Sequence, residues 1–298
     1  MEESTNSPRT HPASGGLIKL QAHLANSTTW LGPTWAIVCG IIASGPIDWQ
    51  SKNWLRIGLL ILLVDGGWGT LWAALGNTDW AASLSQWRTW EFGEKTLSLP
   101  YTLPDTPSDR VLRWLGLFRA WWRHLFWLDC GAALSAIVIA APVTALLATV
   151  LGPQFLLLSL GALAVMQMGL ITSGGHGDAI PEWDGLLVVA FPWLAGHVAF
   201  APPTTHSLAL ALAFALAWGT SWRVTNPWAR ATAVGSQLLA ASLLLVQQHP
   251  LVAGTIVLLS IPQIALLPWV KRGRTVKWYT RHTRVWLMAA MLLAAWAL

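Results

Sequence analysis

Charge is scarce in this sequence, and cysteine nearly absent. Only 10% of the 298 residues are Asp, Glu, Lys or Arg, against about 25% in a soluble domain. A chain so poor in charge cannot clothe a water-facing surface of its own size. The two cysteines, Cys39 and Cys130, both lie in or beside apolar runs. They read as small hydrophobes, which excludes a disulfide framework. No CxxC, HExxH, P-loop, GxGxxG after a strand, or Ser-His-Asp pattern occurs. Dithiol, zinc-peptidase and nucleotide-binding chemistry of the motif-bearing kinds is therefore not indicated. Nor is there the internal repeat of an inverted-repeat transporter. Residues 1–29 hold no early apolar run or cleavage-like ending, so the first membrane span is expected to carry the targeting information.

What is abundant is apolar sequence. Hydrophobic residues make up 54% of the chain, and the mean hydropathy is +0.51. A membrane span needs about 20 mostly apolar residues. Nine stretches approach this, at 30–47, 55–76, 125–150, 153–172, 185–200, 207–222, 229–247, 251–269 and 285–298. The expected fold is all-α, a polytopic transmembrane bundle of about nine spans. Residues 1–29 form a tail, residues 30–298 the membrane domain, and residues 77–124 a large loop.

The basic residues set the orientation. With the N-terminus inside, all of the 18 Lys and Arg except Lys52 and Arg56 fall on the inner side. This is the positive-inside pattern. It places the N-terminus in the cytoplasm and the C-terminus outside. The net charge of +5 follows from these topology signals and does not indicate nucleic acid. Within the large loop, DRVLRWLGLFRAWWRHLFW from Asp109 sets Leu112, Leu115, Phe118 and Trp122 on one helical side, as an interfacial helix running into the third span. The cluster VKRGRTVKWYTRHTR reads as an anchor to anionic lipid. Membrane lipid is the expected partner, with other membrane subunits also open.

Tryptophan is heavily used, with 22 residues. Trp30, Trp49, Trp54, Trp80, Trp183, Trp222, Trp228, Trp269, Trp278 and Trp286 sit near expected span ends. An aromatic belt explains them; the alternative is a pocket for a large flat or isoprenoid ligand.

Few residues are chemically unusual. Asp65 lies about ten residues inside the second span, followed by Gly66, Gly67 and Gly69. An intramembrane carboxylate is costly and faces protein or a watery cavity. Asn77 and Asp79 close that span, as helix-end caps or as half of a Mg²⁺ or head-group site, with Asp79 the candidate metal ligand. The next inner loop, TSGGHGDAIPEWDG, offers His176, Asp178, Glu182 and Asp184. The following one, WRVTNPWARA, carries Arg223 and Arg230 and no acid, and Pro227 suits the opening of a helix. The two arginines are topology signals or a hold on a phosphate or carboxylate. His124, His197, His206 and His249 sit near span ends, where they would ligate the metal of a tetrapyrrole or hydrogen-bond across helices.

Several stretches resemble the UbiA prenyltransferase superfamily: ANSTTWLGPTWAIVCGIIASG its first helix, LWAALGNTDW the approach to its first Asp-rich motif, IPEWDGLLVVAFPWLAG its fifth helix, and ATAVGSQLLAASLLL the segment after its second Asp-rich motif. The resemblance covers about residues 20–298. It implies nine helices around a central cavity, with functional inner loops after the second, fourth and sixth. It also implies Mg²⁺ and a prenyl diphosphate held by Asn and Asp residues. Asn77 and Asp79 match the first motif, no second Asp follows in register, and the second motif has no acids. The reading that follows is a UbiA-like membrane protein without catalysis. It would bind a hydrophobic ligand (isoprenoid, quinone, or a tetrapyrrole such as a chlorophyll-type pigment) or serve in a membrane complex. The alternative is a membrane-bound prenyltransferase in which Asp65, Asp79, Asp178 or Asp184 completes an atypical site and Asn77, His176, Arg223 and Arg230 hold the cofactor or diphosphate. Mg²⁺ belongs only to that alternative.

Overall fold

A computed structural model of the chain describes residues 31–46, 50–87, 106–174 and 181–298. Every regular element among them is helical. In order they are α1 (Leu31–Ala43), α2 (Ser51–Gly76), α3 (Trp80–Ser85), α4 (Pro107–Leu151) and α5 (Pro153–Thr172). Next comes α6, which runs without a break through Pro181–Gly185, Leu186–Ala190 and Phe191–Val198. The last four are α7 (Thr205–Thr220), α8 (Pro227–Val246), α9 (Pro250–Lys271) and α10 (Val276–Ala297).

Local chemistry starts and stops these helices. Asp79, Thr106, Thr204, Asn226 and Thr275 each accept a backbone N–H of the first turn that follows, filling donors the helix cannot satisfy. Pro107, Pro153, Pro227 and Pro250 open their helices, where a missing N–H costs nothing. Gly152 alone joins α4 to α5, at φ 125°, a conformation L side chains rarely adopt. Three helices contain wide π-type turns, at Leu62–Gly69, Trp122–Phe126 and Leu186–Ala190.

Among the described residues five helices are long and apolar enough to cross a membrane, namely α2, α4, α5, α8 and α9. The other expected spans correspond to helices that are shorter or more polar. α1 has 13 residues and α7 has 16, so they rise only about 20 and 24 Å against a hydrocarbon core of about 30 Å. The apolar part of α6, Trp183–Val198, is also short. α10 is long but begins VKWYTRHTR. The chain is thus an all-α protein with several helices able to span a bilayer. Its outward faces agree: Leu128 on α4, Leu157 on α5 and Leu251 on α9 are 74%, 71% and 86% exposed.

Two apolar cores share α1 and α6. One joins them to α7, α8, α9 and α10 through Trp193, Phe214, Leu244, Ile256 and Met291. The other joins them to α2, α4 and α5 through Leu63, Trp68, Phe155 and Met166. The α1–α6 crossing is a backbone contact. A Cβ added to Gly40 would lie 1.9 Å from the Trp193 carbonyl oxygen, and one added to Gly196 would lie 2.3 Å from that of Ile37. Small residues permit such approach between membrane helices.

Candidate functional site

Four helices meet at Asp184. α6 begins flush against the end of α7, because Gly185 leaves no side chain between them; a Cβ there would stand 2.1 Å from the Ala215 carbonyl oxygen. That approach sets Asp184, on the first turn of α6, beside the end of α7. From α2, Trp72 donates its indole N–H to Asp184 Oδ1 at 3.4 Å, long for such a bond. From the end of α7 and the turn Ser221–Arg223, the indoles of Trp218 and Trp222 interact with the same carboxylate, yet neither N–H closes a well-formed hydrogen bond. From α10, Arg284 acts on Asp184 through its charge. Its guanidinium carbon lies 4.7 Å from the Trp218 ring centre and 4.8 Å from that of Trp222, cation–π distances for both.

The other expected residues stand as follows. Asp65 is half-buried in the π-type stretch of α2. Its carboxyl runs toward Gly69, whose added Cβ would lie 3.8 Å from Oδ1. Asn77 closes α2 with its side chain exposed. Asp79 is exposed and caps α3, accepting the Ala82 N–H at 2.9 Å. Arg223 is exposed just beyond α7. His176 and Asp178 lie outside the described residues. Asp184 is thus the acid the fold brings into a polar cluster, while Asp79 serves as a helix cap.

Arg230 sits apart, half-buried in a narrow cavity of about 10 Å³ with Gln237, Ser260, Gln263 and Tyr279, room for roughly one water. Its Nε is buried without a hydrogen bond. The Gln237 and Gln263 amides pair reciprocally at 2.9 and 3.0 Å between α8 and α9, and Tyr279 donates to the Gln263 carbonyl at 3.1 Å. His197 has no ring nitrogen to spare. Nε2 faces the Pro202 carbonyl and Nδ1 the Ser207 hydroxyl, both at 3.1 Å. A carbonyl only accepts, so Nε2 donates to it and neutral His197 accepts from Ser207 through Nδ1. Cross-helix bonding is its role.

The described residues do not form a Mg²⁺ site. Such an ion takes a near-octahedral oxygen shell. Among the described residues no three His, Cys, Asp or Glu side chains gather to hold a metal. One Asp79 oxygen is already used as a cap.

Sequence reasoning passed over Arg284, Trp72 and Trp218, and placed Trp222 in the aromatic belt. The signal was helical register. Thr280, Leu287 and Met291 are buried on α10, and Arg284 falls on their side, three or four residues from its neighbours. Lys277 and Arg281 are exposed.

An all-α bundle with several membrane-length helices and a carboxylate–arginine–indole cluster where four helices meet defines the class. Over 203 residues, 65% of this chain, the sequence is 28% identical to the bacteriochlorophyll synthase 34 kDa chain of Chloroflexus aurantiacus. The match takes in 53% of that protein, so the chain spans about half the length of the curated relative it matches. No protein-family model matches the chain, and no solved structure matches it significantly.

Proposed function

We propose that this chain is a membrane-bound prenyltransferase that moves a prenyl group from a prenyl diphosphate to a hydrophobic acceptor, a tetrapyrrole being the first to test. The observation that carries this reading is the similarity to a chain named as a synthase. It favours the catalytic alternative over the non-catalytic binding subunit that the worn Asp-rich motifs first suggested. In the reaction the prenyl C1–O bond breaks with its electron pair going to diphosphate. The acceptor nucleophile then bonds to C1; a hydroxyl or aromatic carbon loses its proton in doing so, whereas a carboxylate attacks already deprotonated. Catalysis requires stabilising the negative charge that grows on the leaving oxygen. The polar cluster around Asp184 and Arg284 suits that role because it gathers donors in a sheltered place.

The same reading has nine spans, some short, with the N-terminus in the cytoplasm and the C-terminus outside. It sets the Asp184 cluster, Asn77 and Arg223 at the cytoplasmic ends of their helices, and the basic stretch 271–281 against anionic lipid. The test is product formation from labelled geranylgeranyl and farnesyl diphosphates with aromatic and tetrapyrrole acceptors, using the full chain in lipid. A prenylated product is expected. Saturable ligand binding without turnover across the panel would return the chain to the non-catalytic reading.

A further inference from the structure

We propose that Arg284, Trp218 and Trp222 form a metal-independent pocket for an oxyanion, phosphate or carboxylate, borne by a membrane-soluble ligand. The inference deepens the prenyl-transfer reading and rests on it for the identity of the ligand. Its basis is a surplus of donors. A carboxylate offers about four acceptor positions, a guanidinium five N–H groups and each indole one. Asp184 is the acid in contact with this cluster, and Trp72 already takes one of its oxygens. The indole N–H groups of Trp218 and Trp222 face the Asp184 carboxylate without closing a well-formed hydrogen bond, and the Nε of Arg284 is buried with no partner. A buried donor left unpaired is costly, and an entering group rich in oxygen removes that cost for all three together.

The shape of the cluster points to the same chemistry. Two indole rings, with centres 4.7 and 4.8 Å from the Arg284 guanidinium carbon, flank that group. A planar fork matches the paired oxygens of a carboxylate or phosphate. Asp184 is a positioning residue here, since its charge balances Arg284 before the ligand arrives. The disagreement with a Mg²⁺ site then has a physical counterpart: cationic and N–H donors stand where the superfamily pattern implies metal and carboxylates.

The experiment uses the full chain in neutral-lipid nanodiscs and compares matched ligand pairs. One pair is labelled geranylgeranyl diphosphate and geranylgeraniol. The other is a tetrapyrrole propionic acid and its methyl ester. At least one anionic member should bind about tenfold more tightly than its neutral twin, and Arg284→Gln should erase that preference. Trp222→Phe keeps the ring, removes the N–H and should cut the preference about threefold; it decides the matter if Arg284→Gln does not fold. A preference in the first pair identifies diphosphate, and in the second, carboxylate. Chelation of divalent metal should leave the preference intact. Equal binding within both pairs, a preference that survives both variants, or one abolished by chelation overturns the inference. Turnover followed in the same preparation separates the two proposals. Turnover indifferent to Arg284→Gln rejects this pocket and keeps prenyl transfer. An Arg284-dependent preference in a chain without turnover does the reverse.

Discussion

Gly40→Ala should break the α1–α6 crossing, and its cost can be estimated from geometry. The new methyl would sit 1.9 Å from the Trp193 carbonyl oxygen and 3.0 Å from the His197 backbone nitrogen. Ordinary contact begins near 3.4 Å, so the helices must part by more than about 1 Å. No flexible side chain is there to yield. A gap of about that size forfeits a quarter to a half of each dispersion contact along the seam. Overpacking of this kind costs about 1–3 kcal/mol, and backbone-on-backbone overlap belongs at the upper end. Against this, Gly→Ala in a helix gains about 1 kcal/mol. The net loss is about 2 kcal/mol, or roughly thirtyfold in the unfolding equilibrium. Gly254→Ala on α9 is the control, because nothing lies within 4 Å of its added Cβ; it should be neutral or stabilising by up to about 1 kcal/mol. The assay is reversible unfolding of purified protein in mixed micelles, followed by circular dichroism. A Gly40→Ala variant within about 0.5 kcal/mol of the parent, or a Gly254→Ala variant that loses as much, would refute the reasoning.

The paired amides of Gln237 and Gln263 give a second test. Gln237→Leu leaves a buried amide without its partner and should cost about 1–3 kcal/mol, while the double change to leucine should recover most of it; an equal or larger loss in the double variant would reject the pairing as the cause. A reporter fused after Leu298 should read outside and one within residues 96–107 inside, because the basic residues partition that way; the two on one side of the membrane would reject the nine-span topology.

Much of the fold was legible because apolar length and helix caps are written locally. The runs at 55–76, 153–172, 229–247 and 251–269 became α2, α5, α8 and α9 with ends shifted by a few residues at most. Pro227 opens α8 as its geometry requires. The runs at 185–200 and 207–222 were legible as short and became the apolar part of α6 and α7, whereas α1 was not, since hydropathy does not say that it stops before Ser44. Asp184 was singled out as an unusual acid, but its surroundings depend on helices distant in sequence. Trp72 reaches it from 112 residues away, and nothing local marks that approach. Arg284 was hidden by its neighbours. Amid six basic residues it looked like one more lipid contact, and only its register on α10 sets it apart. Asp79 looked like a remnant metal ligand because an Asp after Asn matches both a motif and a helix cap, and composition alone does not separate the two.

The shared position of α1 has a consequence in time. Its Gly40 face meets α6, and its Trp35 indole N–H donates to the Met288 carbonyl, 253 residues later in the chain. A ribosome adding about 5–20 residues per second needs roughly 13–50 s to make that interval. Until α10 is made, the surface of α1 that meets it stays turned to lipid or to the insertion machinery. Arrival of α10 is then the event that locks the earliest segment, so a chain released before that point holds its first helix by one side only.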